Sequence, residues 1–533
     1  MHYNNAFNRD QKKWERDVYS RAGILEKILR RVHAETEARY GIAQANKQLR
    51  ESIDALRVHD IDAASDMDKL EKIAQWKVRL CQFADEKKIK RIGAAYGIEF
   101  PKKTTEEGVK LRAIDKTWWI RNLRKICLRR CEKVLRDIGL VHRFRGCYVS
   151  DFTLRRMIER DRKNRDILES LEAVNELGET YTLAELNELS VSNPEIRRGE
   201  LMVRMRGFQE WAQNEGGWCN LFITITTPSR FHAYTYDGQK NEKYSGFTPS
   251  HGQQYLSDIW ADMRAEFARN GVECFGFRIA EPHHDGTPHW HLSLFVKNNW
   301  QKASLVQTMR AHAMRVDWYE LDTERKREAR FKAVEIELGK AAGYIAKYVA
   351  KNIDGYEVGK DHENSEDSLK TCARVKAWAS VWGIRQFQQI GGAGVTVWRK
   401  TRRIATESKQ KELGLPVETG FDDILVACDT ADWSGYTEAM GGATIPRKYR
   451  PAWLCYAEKE KAGKYREPVK IVAGVSCIWK SFINCVFHTW EIVSNMVVRA
   501  VVWPRSCVNN CTKKNRGAGA RQGENYSFEW GFI

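Results

Sequence analysis

The chain has 533 residues, a net charge of +18 and 13 cysteines. That length allows two to four domains with a buried core, and the basic balance favours a polyanionic partner. The scattered cysteines form no repeated Cys-x-x-Cys pair, which speaks against a disulfide framework and for a reduced, cytosolic protein.

In chain order, Met1 opens a polar stretch that does not read as a signal peptide. From Arg9 to about Glu200 the sequence is charged, poor in Gly and Pro, and periodic. Leu25, Ile28 and Leu29, then Leu49, Ile53 and Leu56, recur as one apolar stripe and predict helices. The run 101–108 predicts a loop. Arg121 to Arg145 then holds nine Lys or Arg against two acids. Such a run is often a solvated helix face, but with Trp118 and Trp119 beside it a DNA-gripping surface is expected, carried by Arg124, Lys125, Arg129 and Arg130. Cys127 and Cys131 stand one helical turn apart with no second ligand pair, so they read as packing.

A new pattern begins at Asn220. Phe222-Ile-Thr-Ile-Thr alternates as a strand that ends at Pro228, and Gln253 to Ala268 is periodic as a helix. Next comes Phe277-Arg-Ile-Ala-Glu281, then Pro-His283-His284-Asp285-Gly286-Thr-Pro, then His289-Trp-His291-Leu-Ser-Leu. Period two puts His289 and His291 on one face and Trp290, Leu292 and Leu294 on the other. Asp285-Gly286 predicts a hairpin turn, which brings Glu281 back towards the two imidazoles. His289 and His291 with Glu281 would then hold a divalent cation, Mg or Mn; the loop leaves His283 or His284 open as the third ligand instead.

Ala303 to Met314 predicts a helix, Phe331 to Leu338 a strand, and Lys340 to Asn352 an Ala-rich helix stopped by Gly355. On that helix Tyr344 and Tyr348 are four apart and face one way, with Lys347 and Lys351 near enough to steady phosphate charge. Two tyrosines at this spacing are commonly a packing stripe. Beside a cation that polarises a phosphate, a phenol becomes a candidate nucleophile. The acid-rich stretch 352–369 predicts a loop, Thr371 to Trp382 a helix and Ile384 to Ile390 a strand, with Arg385 and Phe387 as further candidates for DNA contact. The pattern weakens from about Glu407. Cys477 to Trp503 is apolar but broken by Lys480, His488, Glu491 and Arg499, so no membrane span is expected. The tail from Arg499 to Arg521 has six basic residues and no acid and reads as a disordered arm on DNA; Cys507 and Cys511 within it lack further ligands.

These motifs carry a resemblance. Phe222-Ile-Thr-Ile-Thr-Thr-Pro228, Glu281-Pro-His-His-Asp-Gly-Thr-Pro-His289-Trp-His291 and Gly343-Tyr344-Ile-Ala-Lys347-Tyr348 resemble, in that order, the HUH endonucleases, and within them the replication gene A proteins of P2-like phages. Relaxases are similar in parts but carry the tyrosine ahead of the histidines. The resemblance implies a rolling-circle initiator that nicks one strand at an origin. It also implies a 5′-phosphotyrosyl link, a free 3′-hydroxyl and later rejoining of the strand. Its implied setting is the bacterial cytoplasm, with single-stranded origin DNA, a host helicase and the replisome as partners. Two other expectations stay open: a transposase or relaxase with the same chemistry, and a non-catalytic basic DNA-binding protein with a structural metal site. The expected fold class is α+β, with a helical, DNA-binding region 1–205, an antiparallel-sheet nuclease domain 206–405, and a less defined region 406–533.

Overall fold

The structure, a computed structural model, describes residues 2–355, 368–410, 421–459, 462–479 and 482–494. Its centre is a five-stranded sheet made of β1 (Trp218–Thr226), β2 (Cys274–Pro282), β3 (Pro288–Lys297), β4 (Phe331–Ile336) and β5 (Phe387–Ile390). The order across the sheet is β4-β1-β3-β2-β5, and every neighbouring pair is antiparallel. The fold is thus a mixture of helix and antiparallel sheet. Six helices position the site: α1 (Lys116–Asp137), α2 (Pro194–Glu215), α3 (Pro249–Arg269), α4 (Asn299–Met314), α5 (Ala341–Ile353) and α6 (Ser368–Trp382).

Alternation along the strands sorts the side chains into two cores. Leu221, Ile223 and Ile225 of β1, with Trp290, Leu292 and Leu294 of β3, pack against Ile259 and Met263 of α3, Leu305 and Met309 of α4, and Val375 and Trp378 of α6. On the opposite face Phe222, Phe275, Phe277 and Phe295 meet Phe208 and Trp211 of α2 and Ile345 and Val349 of α5. Both faces are covered, so β2 and β3 are buried almost end to end. The sequence reading set the imidazoles on the face opposite an apolar core. They do lie there, but under a second helical layer, only 6% (His289) and 8% (His291) exposed.

Towards the N-terminus, helices pack around a separate core that contains Leu25, Leu29, Leu49, Ile53, Leu56, Trp119, Cys127 and Cys131. Their starts are set by caps: Asp66, Asp85, Thr105 and Asp115 each accept from a backbone N–H of the first turn. The Thr105 cap, with Glu106 and Glu107 behind it at the positive end of the helix dipole, begins a helix inside the expected loop 101–108. The position 205/206 falls within α2, whose two halves pack on the same core.

The described residues after 406 hold more regular structure than the sequence pattern suggests. Helices Phe421–Asp429 and Trp433–Ala439 place Phe421, Trp433 and Tyr436 in the core beneath α2. The strands Ala452–Glu458 and Lys470–Cys477 pair as a hairpin, and Trp490–Ser494 joins Leu171–Asn175. Most of the acid-rich stretch 352–369, the basic tail 499–521, Cys507 and Cys511 lie outside the described residues. Among the described residues no helix is long and apolar enough to cross a membrane.

Candidate active site

The register of the central hairpin sets Glu281 directly opposite His289 and Ile279 opposite His291, so the carboxylate and both imidazoles share a face. The turn between them runs over His283–Thr287. His283 N–H donates to the Thr287 carbonyl at 2.8 Å, and Gly286 N–H donates to the His283 carbonyl at 2.7 Å. Gly286 has φ +80°, a conformation that favours glycine over any residue with a Cβ.

The ring nitrogens His289 Nε2 and His291 Nε2 face each other at 2.9 Å, and Glu281 Oε2 lies 3.9 Å from His291 Nε2. Among the described residues this is the set of three whose ligand atoms all lie within 4.8 Å. The ring of His283 lies 4.1 Å from that of His289, while His284 turns away to meet Tyr236. Burial pushes the pKa of His289 well below the usual imidazole value, with His283, His291 and Lys351 adding to the effect. His291 is lowered to about 3 by burial and then by Lys351. Both rings are therefore neutral and keep a lone pair for a cation.

The donor set passes a test of fit. Two imidazole nitrogens about 2.1 Å from one octahedral ion and adjacent on it are roughly 3.0 Å apart, close to the 2.9 Å observed. Two nitrogens and a carboxylate oxygen suit Mg, Mn or Zn and leave coordination positions for a phosphate. The surrounding contacts also suit a ligand role. Thr224, the cross-strand neighbour of His291, places Oγ1 3.0 Å from His291 Nδ1 and leaves Nε2 to face the cluster. Asn352 Nδ2 donates to Glu281 Oε1 and also to the Tyr348 carbonyl at 2.6 Å, and Gln386 donates to Asn352 Oδ1 at 3.3 Å.

Helix α5 lies over this cluster. Its apolar residues Ala341, Ile345 and Val349 face the sheet, which brings Tyr344 and Tyr348 to the side nearest β1. The Tyr348 ring is 4.5 Å from the His291 ring and stacks 5.1 Å from Phe222. Tyr344 lies 6.2 Å from Tyr348, packs edge-on to Phe222 and is exposed. Burial raises the Tyr348 phenol pKa above the usual value, and Tyr344 and Glu281 raise it further. The phenol is neutral as it stands, so attack on a phosphate requires a group that removes its proton. Lys351 Nζ sits 4.0 Å from Glu281 Oε2, and Lys347 is exposed one residue before Tyr348.

The expected DNA-gripping run divides. Arg124 and Lys125 are exposed on α1. Arg130 is half-buried, and Arg129 Nε donates to the Val381 carbonyl at 2.7 Å, which ties α1 to the end of α6. Arg385 is exposed, and its Nε donates to the Phe387 carbonyl at 3.1 Å; Phe387 is buried in the core.

Sequence reasoning did not single out Arg136. Its buried guanidinium donates to the Asp285 carbonyl at 2.7 Å, Asp285 Oδ2 at 3.1 Å, Thr287 Oγ1 at 2.8 Å and the Phe231 carbonyl at 2.8 Å. It thereby grips the turn that joins the two ligand strands. The available signal was spacing: Leu128, Glu132 and Arg136 recur every fourth residue, flanking the apolar stripe Leu123, Cys127, Cys131 and Leu135.

Residues 35–356 match the family described as bacteriophage replication gene A protein (GPA). The chain is similar to the replication gene A protein of Escherichia phage 186, at 37% identity over 75% of this chain and 59% of that protein. It is 34% identical to the replication gene A protein of Escherichia phage P2, over 76% of this chain and 55% of that one. A probable replication endonuclease from a prophage-like region of Salmonella typhimurium is 33% identical over 65% of this chain and 44% of its own length. The chain thus spans about half the length of the curated relatives it matches. No solved structure matches.

Proposed function

The chain belongs to the bacteriophage replication gene A protein family, and on that premise we propose that it is an HUH-type initiator of rolling-circle replication. It nicks one strand at an origin, becomes linked to the 5′ end and rejoins the strand after a round of synthesis. The observation that carries this reading is the meeting of Glu281, His289 and His291 with Tyr348, whose ring touches that of His291, and with Tyr344 one helical turn away. The names of the relatives, replication gene A protein and replication endonuclease, support it.

Glu281, His289 and His291 would hold Mg or Mn, which when bound polarises a phosphate oxygen and offsets developing negative charge. The chain's own residues perform the remaining steps. Thr224 and Phe222 fix the His291 ring, and Asn352 fixes the Glu281 carboxylate. A tyrosine phenol gives up its proton and its oxygen attacks phosphorus. A tyrosyl O–P bond forms as the P–O3′ bond breaks, and the departing 3′ oxygen takes up a proton. The bond energy is kept: the freed 3′-hydroxyl primes synthesis, and a new 3′-hydroxyl, released when the renewed origin is cut, later attacks the tyrosyl phosphate and reseals the strand. Lys347 and Lys351 steady the phosphate. The second tyrosine accepts the next strand while the first is occupied. In this reading, residues 206–405 with the rest of α2 form the nuclease, 1–205 grip DNA and the helices Phe421–Asp429 and Trp433–Ala439 buttress it. The partners are single-stranded origin DNA, a host helicase and the replisome in the bacterial cytoplasm.

The test is nicking of single-stranded origin-region DNA with Mn. His289→Ala and His291→Ala should each abolish cleavage and leave DNA affinity nearly unchanged, because affinity comes mainly from phosphate contacts. Cleavage at the wild-type rate by either variant, or in EDTA, contradicts the assignment of the cluster.

A further inference from the structure

A pair of exposed aromatics stands at the same end of the sheet as the cluster of Glu281, His289 and His291. Trp318 is 72% exposed and Tyr319 67% exposed, on the short turn Trp318–Glu320 between α4 and β4. Two exposed rings side by side in a turn without anchors would tell little. This turn is fastened on both flanks. Glu320 accepts from Ser229 Oγ and from Ser229 N–H at 3.3 Å. Arg330, itself buried, bonds Glu320 at 3.3 Å and the Val316 carbonyl at 3.1 Å, and Arg230 meets Asp317 at 3.2 Å.

Register fixes where this turn lies. Thr226, the last residue of β1, pairs with His289, and Ile225 pairs with Phe331, the first residue of β4. Ser229, to which Glu320 is tied, follows Thr226 by three residues, at most roughly 11 Å of chain. The aromatic turn is therefore close to the strand end that carries a ligand histidine.

The charges are arranged for a polyanion. The acids that flank the rings, Asp317 and Glu320, are turned inward, with side chains 10% and 9% exposed, and are met by Arg230 and Arg330. Of the outward acids in the next turn, Asp322 is held by Lys326 and Glu324 by Arg327, each at 2.8 Å. Arg325 is exposed six residues after Tyr319, and Lys243, also exposed, reaches Glu320 at 3.5 Å.

We infer that Trp318 and Tyr319 form a stacking platform for bases of single-stranded DNA a few nucleotides from the cleaved phosphate. This inference rests on the nuclease reading for its position but not for its chemistry. Every base offers a π-face, so stacking on a fixed ring binds without regard to sequence, and neighbouring cations follow the backbone. Duplex bases are already stacked on one another, so the platform selects a single strand.

The test is fluorescence anisotropy with a labelled oligo-dT and its duplex counterpart over a range of salt, on the full chain. Trp318→Ala with Tyr319→Ala should weaken single-strand affinity roughly tenfold or more, with duplex affinity, melting temperature and salt slope unchanged. Trp318→Phe should retain most of the affinity. Unchanged single-strand affinity overturns the inference and returns the rings to a protein-docking role. A fall in the salt slope of about one per removed ring overturns it as well, because the contact would then be ionic. Adduct formation by the wild-type protein on single-stranded origin-region DNA with Mn tests the nuclease reading separately. Wild-type protein that binds through these rings but never becomes linked contradicts that reading and leaves the platform standing.

Discussion

Thr224 and Asn352 do for the candidate centre what the three ligands cannot do alone. An imidazole that binds a cation through Nε2 needs its ring turned, and the hydroxyl 3.0 Å from His291 Nδ1 holds it so. Thr224→Val keeps the shape of the side chain and removes the hydroxyl. It should lower Mn affinity roughly 10- to 100-fold, measured by titration calorimetry, with little change in melting temperature. Unchanged affinity would mean that packing on Phe222 alone orients the ring. The convergence of Glu281, His289 and His291 was legible, because period two and an Asp-Gly turn act over a few residues. Their supports were not: Thr224 and His291 are 67 positions apart, and Asn352 and Glu281 are 71. Nothing local in either segment signals such a bond.

At the scale of elements, one salt bridge decides where the ligand hairpin sits. Burial alone would raise the pKa of Asp285, but His232 and Arg136 outweigh it, and the carboxyl is held well below the usual range. A depressed pKa in the folded state contributes stability above the unfolded value, about 3.9, and that contribution is lost as pH falls below it. Melting curves should therefore show wild type losing stability between about pH 5 and 3 more steeply than Asp285→Asn. Arg136→Met takes the guanidinium away from a buried carboxylate and should cost about 3–5 kcal/mol in denaturant unfolding. A cost below about 1 kcal/mol would show that the turn holds itself. The same helix illustrates what charge counting misses. Its basic run was legible, but composition alone could not separate Arg136, which faces inward, from Arg124 and Lys125, which face solvent. Removing Arg124 and Lys125 should reduce the log–log salt slope of DNA binding by roughly one per lost phosphate contact. Arg129→Ala, which frees the Val381 carbonyl, should lower the melting temperature instead.

At the scale of the whole molecule the chain closes on itself. Trp433 packs 6.0 Å from Phe208 and 5.0 Å from Trp398, beneath the helix α2 that covers the ligand face. The loop after Glu458 reaches back to the N-terminal helices, where Glu467 pairs with Arg112 at 2.6 Å and Lys464 with Asp115 at 2.6 Å. The helical N-terminus and mixed sheet were legible because their periods are long and regular. The closure was not, since helices of nine and seven residues carry little periodicity and gain their stability only from the core they join. Losing one large buried aromatic costs about 3–5 kcal/mol, against a typical total of about 5–15 kcal/mol. A chain ended at residue 410 should therefore lose its cooperative melt, and Trp433→Ala should show a markedly lowered one. An unchanged melt in the shortened chain would make the later region an independent unit. On the function proposed above, the assembled molecule cuts a strand and holds it by a tyrosine. Trypsin cuts after Lys340, Lys347 and Lys351, so Tyr344 and Tyr348 fall on different peptides, and mass spectrometry of the protein–DNA adduct made with Mn reads them separately. The account predicts a 5′-phosphonucleotide on the Tyr344 or Tyr348 peptide, and none from the Tyr344→Phe, Tyr348→Phe protein. A nucleotide on any other residue, or an adduct that survives in the double variant, would contradict it.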